Sequence, residues 1–207
     1  GTVGDTRRKL SIAMDVAKGL SHVHSLQIFH RDIKPDNVHI DAKGHARLID
    51  FGIAKLNGAS LTQAGFVLGT PHYMPPEQLR GQQVTERTDI YAWALVLIEM
   101  FTGKKARSGT TMERIMMEIL NEPVDCSQLG LVGMPESVVD LVKKCTQADP
   151  QIRPANFGEV LPLLEAAHAR IVSDERAVVE GAERKKKMLG VGAAAGAALL
   201  AARAGGI

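Results

Sequence analysis

His30-Arg31-Asp32-Ile33-Lys34-Pro35-Asp36-Asn37 decides the reading of this chain, together with Asp50-Phe51-Gly52 one hairpin later. Asp32 can accept a proton from a hydroxyl. Lys34 can neutralise phosphate oxygens. Asn37 and Asp50 offer hard oxygen ligands, the kind Mg²⁺ takes beside substrate phosphates. A base, a cation and two metal ligands are the parts phosphoryl transfer needs, because its catalysis is mostly positioning plus charge neutralisation. The competing reading is a polar loop after a helix, with a turn at Phe51-Gly52. It suits either string alone and fits poorly with both in this order at this separation.

The sequence resembles the eukaryotic-like protein kinases. His30 to Asn37 is similar to their catalytic loop and Asp50 to Gly52 to their metal-binding motif. Lys34, two residues after Asp32, is similar to the Ser/Thr branch. Further matches follow in order: Gly69-Thr70 and Tyr73-Met74-Pro75-Pro76-Glu77 resemble the segment closing the activation loop. Asp89-Ile90-Tyr91 resembles the start of the central helix of the large lobe, and Arg153-Pro154 the late Arg that pairs with Glu77. The resemblance covers roughly residues 5–168. It implies an α+β fold, the large lobe of a kinase, mostly helical with short β-hairpins. It also implies ATP with Mg²⁺ or Mn²⁺, and protein Ser/Thr hydroxyls as acceptors. Asp32 and Lys34 would be catalytic, Asn37 and Asp50 metal-binding, and Lys34, Asn37, His39 and Asp50 nucleotide-facing. Arg31, Thr62 and Thr70 would be regulatory, and Glu77, Asp89 and Arg153 structural.

Around these motifs, 207 residues are enough for one domain with a sizeable core plus a tail. A net charge of +2 makes no global case for nucleic acid. Two cysteines, Cys126 and Cys145, imply no disulfide framework and read as small apolar residues in a reducing compartment. Gly1 to Lys9 is polar and carries no signal-peptide run. The chain does not begin with Met, so its start reads as a cut. Nothing before Asp5 matches a glycine-rich phosphate loop, and no strand Lys or partner Glu precedes the first helix. The expectation is therefore a large lobe and tail, without the small lobe, of a bacterial-type membrane Ser/Thr kinase.

In chain order, Asp5 or Thr6 is expected to cap a helix ending near Ser25, with Leu10, Ala13, Ala17 and Leu20 on one apolar face. His22 and His24 read as partners of its C-terminal dipole rather than as ligands. Val38–Ile40 and Ala46–Ile49 read as strands joined by Asp41-Ala42-Lys43-Gly44, a turn that returns Asp50 beside Asn37. His39 stands where kinases usually place Leu under the adenine ring. Ile53 to Val67 is polar and aperiodic. By resemblance it is the activation loop, with Thr62 the preferred phosphate acceptor for Arg31. Thr70 is expected to hydrogen-bond Asp32 and Lys34. Thr88 is expected to cap a buried helix from Asp89 to Thr102, ended by Gly103. Met112, Ile115, Met116 and Ile119 form one later face, read as core, and Val138, Leu141, Val142 and Cys145 another. A last helix from about Asn156 to Val172 is expected to be kinked or split at Pro162.

Composition changes after Arg170. Residues 1–170 read as the kinase lobe, 171–187 as a charged linker and 188–203 as a truncated membrane segment. The run Met188 to Ala202 is uncharged and follows the basic cluster Arg184-Lys185-Lys186-Lys187, which would keep the lobe cytoplasmic and anchored to the inner or plasma membrane. Gly192 and Gly196, four apart, would let two such helices approach, so a homodimer is an expected partner state. The competing reading of this run is a flexible tail. For the lobe, two functions stand: a Ser/Thr kinase, or a kinase-like module retained for docking. The presence of all four site residues favours descent from an active enzyme, whereas the missing lobe and His39 favour inactivity of this chain alone.

Overall fold

In the computed structural model, residues 3–50 and 71–204 are described, with side chains for 5–50 and 71–182. The chain divides into two compact units, 1–168 and 169–207.

The first unit is built on two buried helices. Helix α1, Val3–Ser25, buries Leu10, Ala13, Val16, Ala17 and Leu20 on one stripe. It starts earlier than Asp5 and ends at Ser25 as expected. Its end is closed by Gln27 at φ +58°, with Ile28 N donating to Val23 O at 3.0 Å and Gln27 N to His24 O at 2.8 Å. This is the paired-bond helix stop that glycine usually supplies. Strands β1, Val38–Ile40, and β2, Ala46–Leu48, pair antiparallel with His39 opposite Arg47. Gly44 takes φ +88° in the turn between them, a conformation open to glycine at no steric cost.

Helix α2, Pro76–Leu79, leads to α3, Glu86–Thr102, which is apolar on nearly every side. Ile90 through Leu95, Leu97, Ile98 and Phe101 are buried along α3. Trp93 donates its Nε1–H to the Ala13 carbonyl of α1 at 3.1 Å and meets the Phe157 ring edge-on at 5.8 Å. Gly103 ends the helix at φ +69°. The cap expected at Thr88 lies one turn earlier, at Thr85. Thr88 is the third helical residue, and its hydroxyl reaches back to accept from Thr85 N at 3.1 Å. A reciprocal cap of this kind places a hydroxyl residue at both positions, so Thr88 read as the start when it is the inner half.

Helices α4, Met112–Asn121, α5, Ser127–Leu131, and α6, Glu136–Cys145, complete the core. Val138, Leu141, Val142 and Cys145 are all buried. On α4 only Ile115 and Ile119 of the expected face are buried, while Met112 and Met116 are half-buried. Helix α7 runs Phe157–Ala204, so it is not split at Pro162 and continues past the expected end near Val172. Pro162 stands in the second turn and forfeits the one bond its N–H would have made to the carbonyl of Gly158.

In the second unit, residues 169–204 are helical and Val178 and Val179 are exposed. Among the described residues no helix is long and apolar enough to cross a membrane. The side chains of the expected segment at 188–203 lie outside the described residues.

Candidate active site

The loop between α1 and β1 hangs on one buried carboxylate. Asp89, 1% exposed on α3, accepts from the backbone N–H of His30 at 2.7 Å and of Arg31 at 2.9 Å. His24 Nε2 lies 2.8 Å from the same carboxylate, and His24 Nδ1 is 3.5 Å from Glu86. His24 is 1% exposed, so its expected pairing with the helix dipole gives way to a buried pairing with Asp89. The signal was in the α1 stripe: His24 follows Leu20 by four residues and so falls on the buried face. A polar ring there needs a partner.

Arg31 is held at φ +65° and Asp50 at φ +55°. Left-handed backbone at such residues costs about 1–3 kcal/mol each and persists only where the surroundings impose it. Here the Asp89 bond at Arg31 N and the Gln78 side chain, donating to Arg31 O at 3.1 Å, impose it on one of them. His30 is buried, and its ring Nε2 is 3.3 Å from the Ile49 carbonyl. Burial pushes its pKa down, with the Asp89 charge opposing.

Between these fixed points the polar residues converge. Lys34 Nζ donates to Asp32 Oδ2 at 2.8 Å, and that bond raises the lysine pKa. The charges of Asp36 and Asp50 act on it in the same direction. Asn37 donates through Nδ2 to the Asp32 carbonyl at 2.8 Å and more weakly to Asp32 Oδ2 at 3.4 Å. That orientation leaves Asn37 Oδ1 as its acceptor atom. Pro35 opens the single turn Pro35–Asn37, and Ile49 N donates to Asn37 O at 3.0 Å, so the hairpin returns Asp50 to the loop. Asp50 is exposed, as is His39 on β1, so the His39 ring meets no burial demand. Phe51, Gly52, Thr62 and Thr70 lie outside the described residues.

A second brace lies below. Arg153 and Glu77 pair bidentately at 2.7 and 2.9 Å, with side chains 0% and 3% exposed. The other Arg153 donors reach the carbonyls of Gln147, Arg87 and Ala148, and its guanidinium stacks on the Tyr91 ring at 4.6 Å. Tyr73 donates its hydroxyl to Glu99, and burial with that bond raises its pKa. Sequence reasoning did not single out Tyr73, Tyr91 or Gln78 for these contacts.

A loop carrying an acid–lysine–asparagine triplet, hung from a buried helix beside an acidic hairpin end, defines the large lobe of a protein kinase. The chain belongs to the protein kinase family: residues 3–164 match the protein kinase domain. It is 37% identical over 145 residues to "Serine/threonine-protein kinase PrkC" of Bacillus subtilis, covering 70% of this chain and 22% of that protein. It is 35% identical over 171 residues to "Serine/threonine-protein kinase PknD" of Mycobacterium tuberculosis, covering 82% of this chain and 25% of that one. A plant relative, "LRR receptor-like serine/threonine-protein kinase ERL1" of Arabidopsis thaliana, is 37% identical over 169 residues, covering 72% and 17%. The chain thus spans a quarter or less of the length of these relatives.

Proposed function

We propose that this chain is the catalytic large lobe of a protein serine/threonine kinase that transfers the γ-phosphoryl group of ATP to protein hydroxyls. The observation that carries the reading is the cluster of Asp32, Lys34 and Asn37, held at 2.8 Å contacts and tied through the Ile49 N to Asn37 O bond to the strand end that precedes the exposed Asp50. Asp32 would take the proton of the attacking Ser or Thr hydroxyl, and Lys34, already paired to it, would neutralise charge on the transferring phosphate. Asn37 locks the Asp32 backbone and keeps its own Oδ1 for a cation. Asn37 Oδ1 and the Asp50 carboxylate are two hard oxygens, the donor set Mg²⁺ takes when phosphates and water complete its shell. Mg²⁺ so held would neutralise and orient the ATP phosphates. Arg31, Thr62 and Thr70 keep the regulatory roles the resemblance implies, and a small lobe would supply the other wall of the nucleotide cleft.

The test is phosphate transfer by the full-length protein to a generic basic protein. Asp50→Ala is expected to abolish Mg²⁺-dependent transfer while leaving the circular dichroism spectrum intact. Near-normal transfer by Asp50→Ala would remove the metal-holding role. No transfer by the unaltered protein with any divalent cation would favour the docking module instead.

We also propose that residues 188–203 form part of a membrane anchor that could bring two copies together. Its support is the basic cluster ahead of an uncharged run with Gly192 and Gly196 four apart. A reporter fused to residues 170–207 should remain with membranes after carbonate extraction. Complete release would end the idea for this segment.

A further inference from the structure

Away from the catalytic loop, the segment joining α3 to α4 carries a buried cation without a counter-charge. Arg107 is 4% exposed. Its Nη2 donates to the hydroxyl of the fully buried Tyr91 at 3.1 Å, and its Nε is buried with no hydrogen-bond partner. No carboxylate among the described residues pairs with it: the ion pairs of this region run from Arg114 to Glu118 at 3.2 Å and to Glu122 at 3.0 Å. A fully buried arginine is rare unless it is paired, because an isolated charge is costly to take out of water.

Beside Arg107 opens a cavity of about 310 Å³ whose wall includes Lys104, Lys105 and Ser108. Lys104 and Lys105 are exposed and, among the described residues, neither ammonium group has an ion-pair partner. The carboxylates of the wall are already engaged. Glu118 accepts from Gly109 N at 3.2 Å and from Arg114, Glu122 accepts from Arg114, and Asp125 accepts from Ser127 N at 2.8 Å. The full wall carries four cations, Lys104, Lys105, Arg107 and Arg114, against those three carboxylates, and Arg114 is spent between two of them. The wall is thus net positive by one charge, with Lys104 and Lys105 outside any ion pair among the described residues and Arg107 bonded only to the neutral Tyr91 hydroxyl.

We propose that this cavity is a binding site for a phosphate monoester. A guanidinium has five N–H donors in a planar fork that suits phosphate oxygens, and Arg107, which lines the cavity, spends one of them on Tyr91. Lys104 and Lys105 supply the charge that a dianion needs and a single carboxylate does not, and the Ser108 hydroxyl adds a donor. The ligand is a phosphorylated protein side chain or a small phosphorylated metabolite, which share this chemistry. No residue of the catalytic loop lines the cavity, so the site does not rest on the catalytic reading.

The test titrates N-acetyl-phosphothreonine amide into the 207-residue chain, followed by calorimetry and by the amide resonances of Ser108 and Gly109. Saturable binding is expected, with a dissociation constant on the order of 1 mM or tighter. The double variant K104S/K105S changes only exposed side chains and keeps the fold. It should weaken binding at least about tenfold, as loss of two charge-assisted contacts predicts. R107K, which keeps the charge and removes the fork, should weaken it too. A phosphothreonine peptide that binds more tightly than the capped amino acid identifies a phosphorylated polypeptide as the source. Equal binding identifies a small phosphate compound. Unchanged affinity in K104S/K105S, absence of saturation, or shifts confined to the amides of Arg31 and Lys34 would overturn the proposal.

Discussion

Asp32→Asn in the full-length kinase is expected to lower kcat by about 10²–10⁴, the range a positioned general base contributes. The substitution is nearly isosteric. Asn can still accept from Lys34 and from the Asn37 amide, so the contacts at 2.8 and 3.4 Å to Oδ2 have a replacement acceptor. The backbone carbonyl of residue 32, which receives the stronger Asn37 bond, is untouched. What disappears is the negative charge and the ability to take a proton. The loss should therefore fall on kcat, with the KM for ATP and the thermal midpoint little changed. The lysine also loses the partner that raises its pKa, so its titration should move back toward 10.5. The measurement is steady-state ³²P transfer beside a thermal melt of the same samples. Activity within threefold of the unaltered enzyme would deny Asp32 its proton-accepting role.

The second large effect concerns stability. Glu77→Ala should destabilise the lobe by about 3–5 kcal/mol, because it leaves the Arg153 guanidinium buried without its carboxylate. The pair is inaccessible on both sides, at 0% and 3% exposure, so solvent cannot rescue the orphaned charge. The three carbonyl contacts from Gln147, Ala148 and Arg87 remain, but none of them carries a balancing charge. Removing both charges with E77A/R153M should recover part of the loss, since a methionine can fill much of the arginine stem's space. Urea unfolding followed by Trp93 fluorescence gives both numbers. A cost for E77A below about 1 kcal/mol would mean that the pair behaves like an exposed one.

The chemistry of the site was more legible in the sequence than its supports. Asp32, Lys34 and Asn37, which the structure brings into contact, sit in one short string, so a local reading could propose them together. The hairpin was equally plain, since Gly44 stood where a turn needs positive φ. The supports depend on separations no local window spans. Asp89 could be assigned as a brace only through the resemblance, whereas its pairing with His24 needed the buried stripe of α1 followed one turn further. Thr88 misled because a capping motif has two hydroxyl ends. Pro162 does not split its helix because it stands only in the second turn, where a single backbone bond is lost. The Arg107 cavity left no trace in the sequence. Its wall combines side chains from α3, α4, α5 and their connections, and a lone basic residue among Lys104, Lys105 and Arg107 reads as ordinary surface charge.

The bonds from Asp89 to the amides of His30 and Arg31 reach across 59 and 58 residues of chain. Contacts of that span form only after a long loop has been closed, and their entropy is recovered only when the surrounding core is in place. The loop of Asp32 is therefore expected to take its shape only once α3 has packed on α1. A nascent or partly unfolded chain holds all the residues of the chemistry but no arrangement of them. On the proposed function, maturation and competence would become one event, and a misfolded copy would be inert rather than indiscriminate toward hydroxyl groups around it.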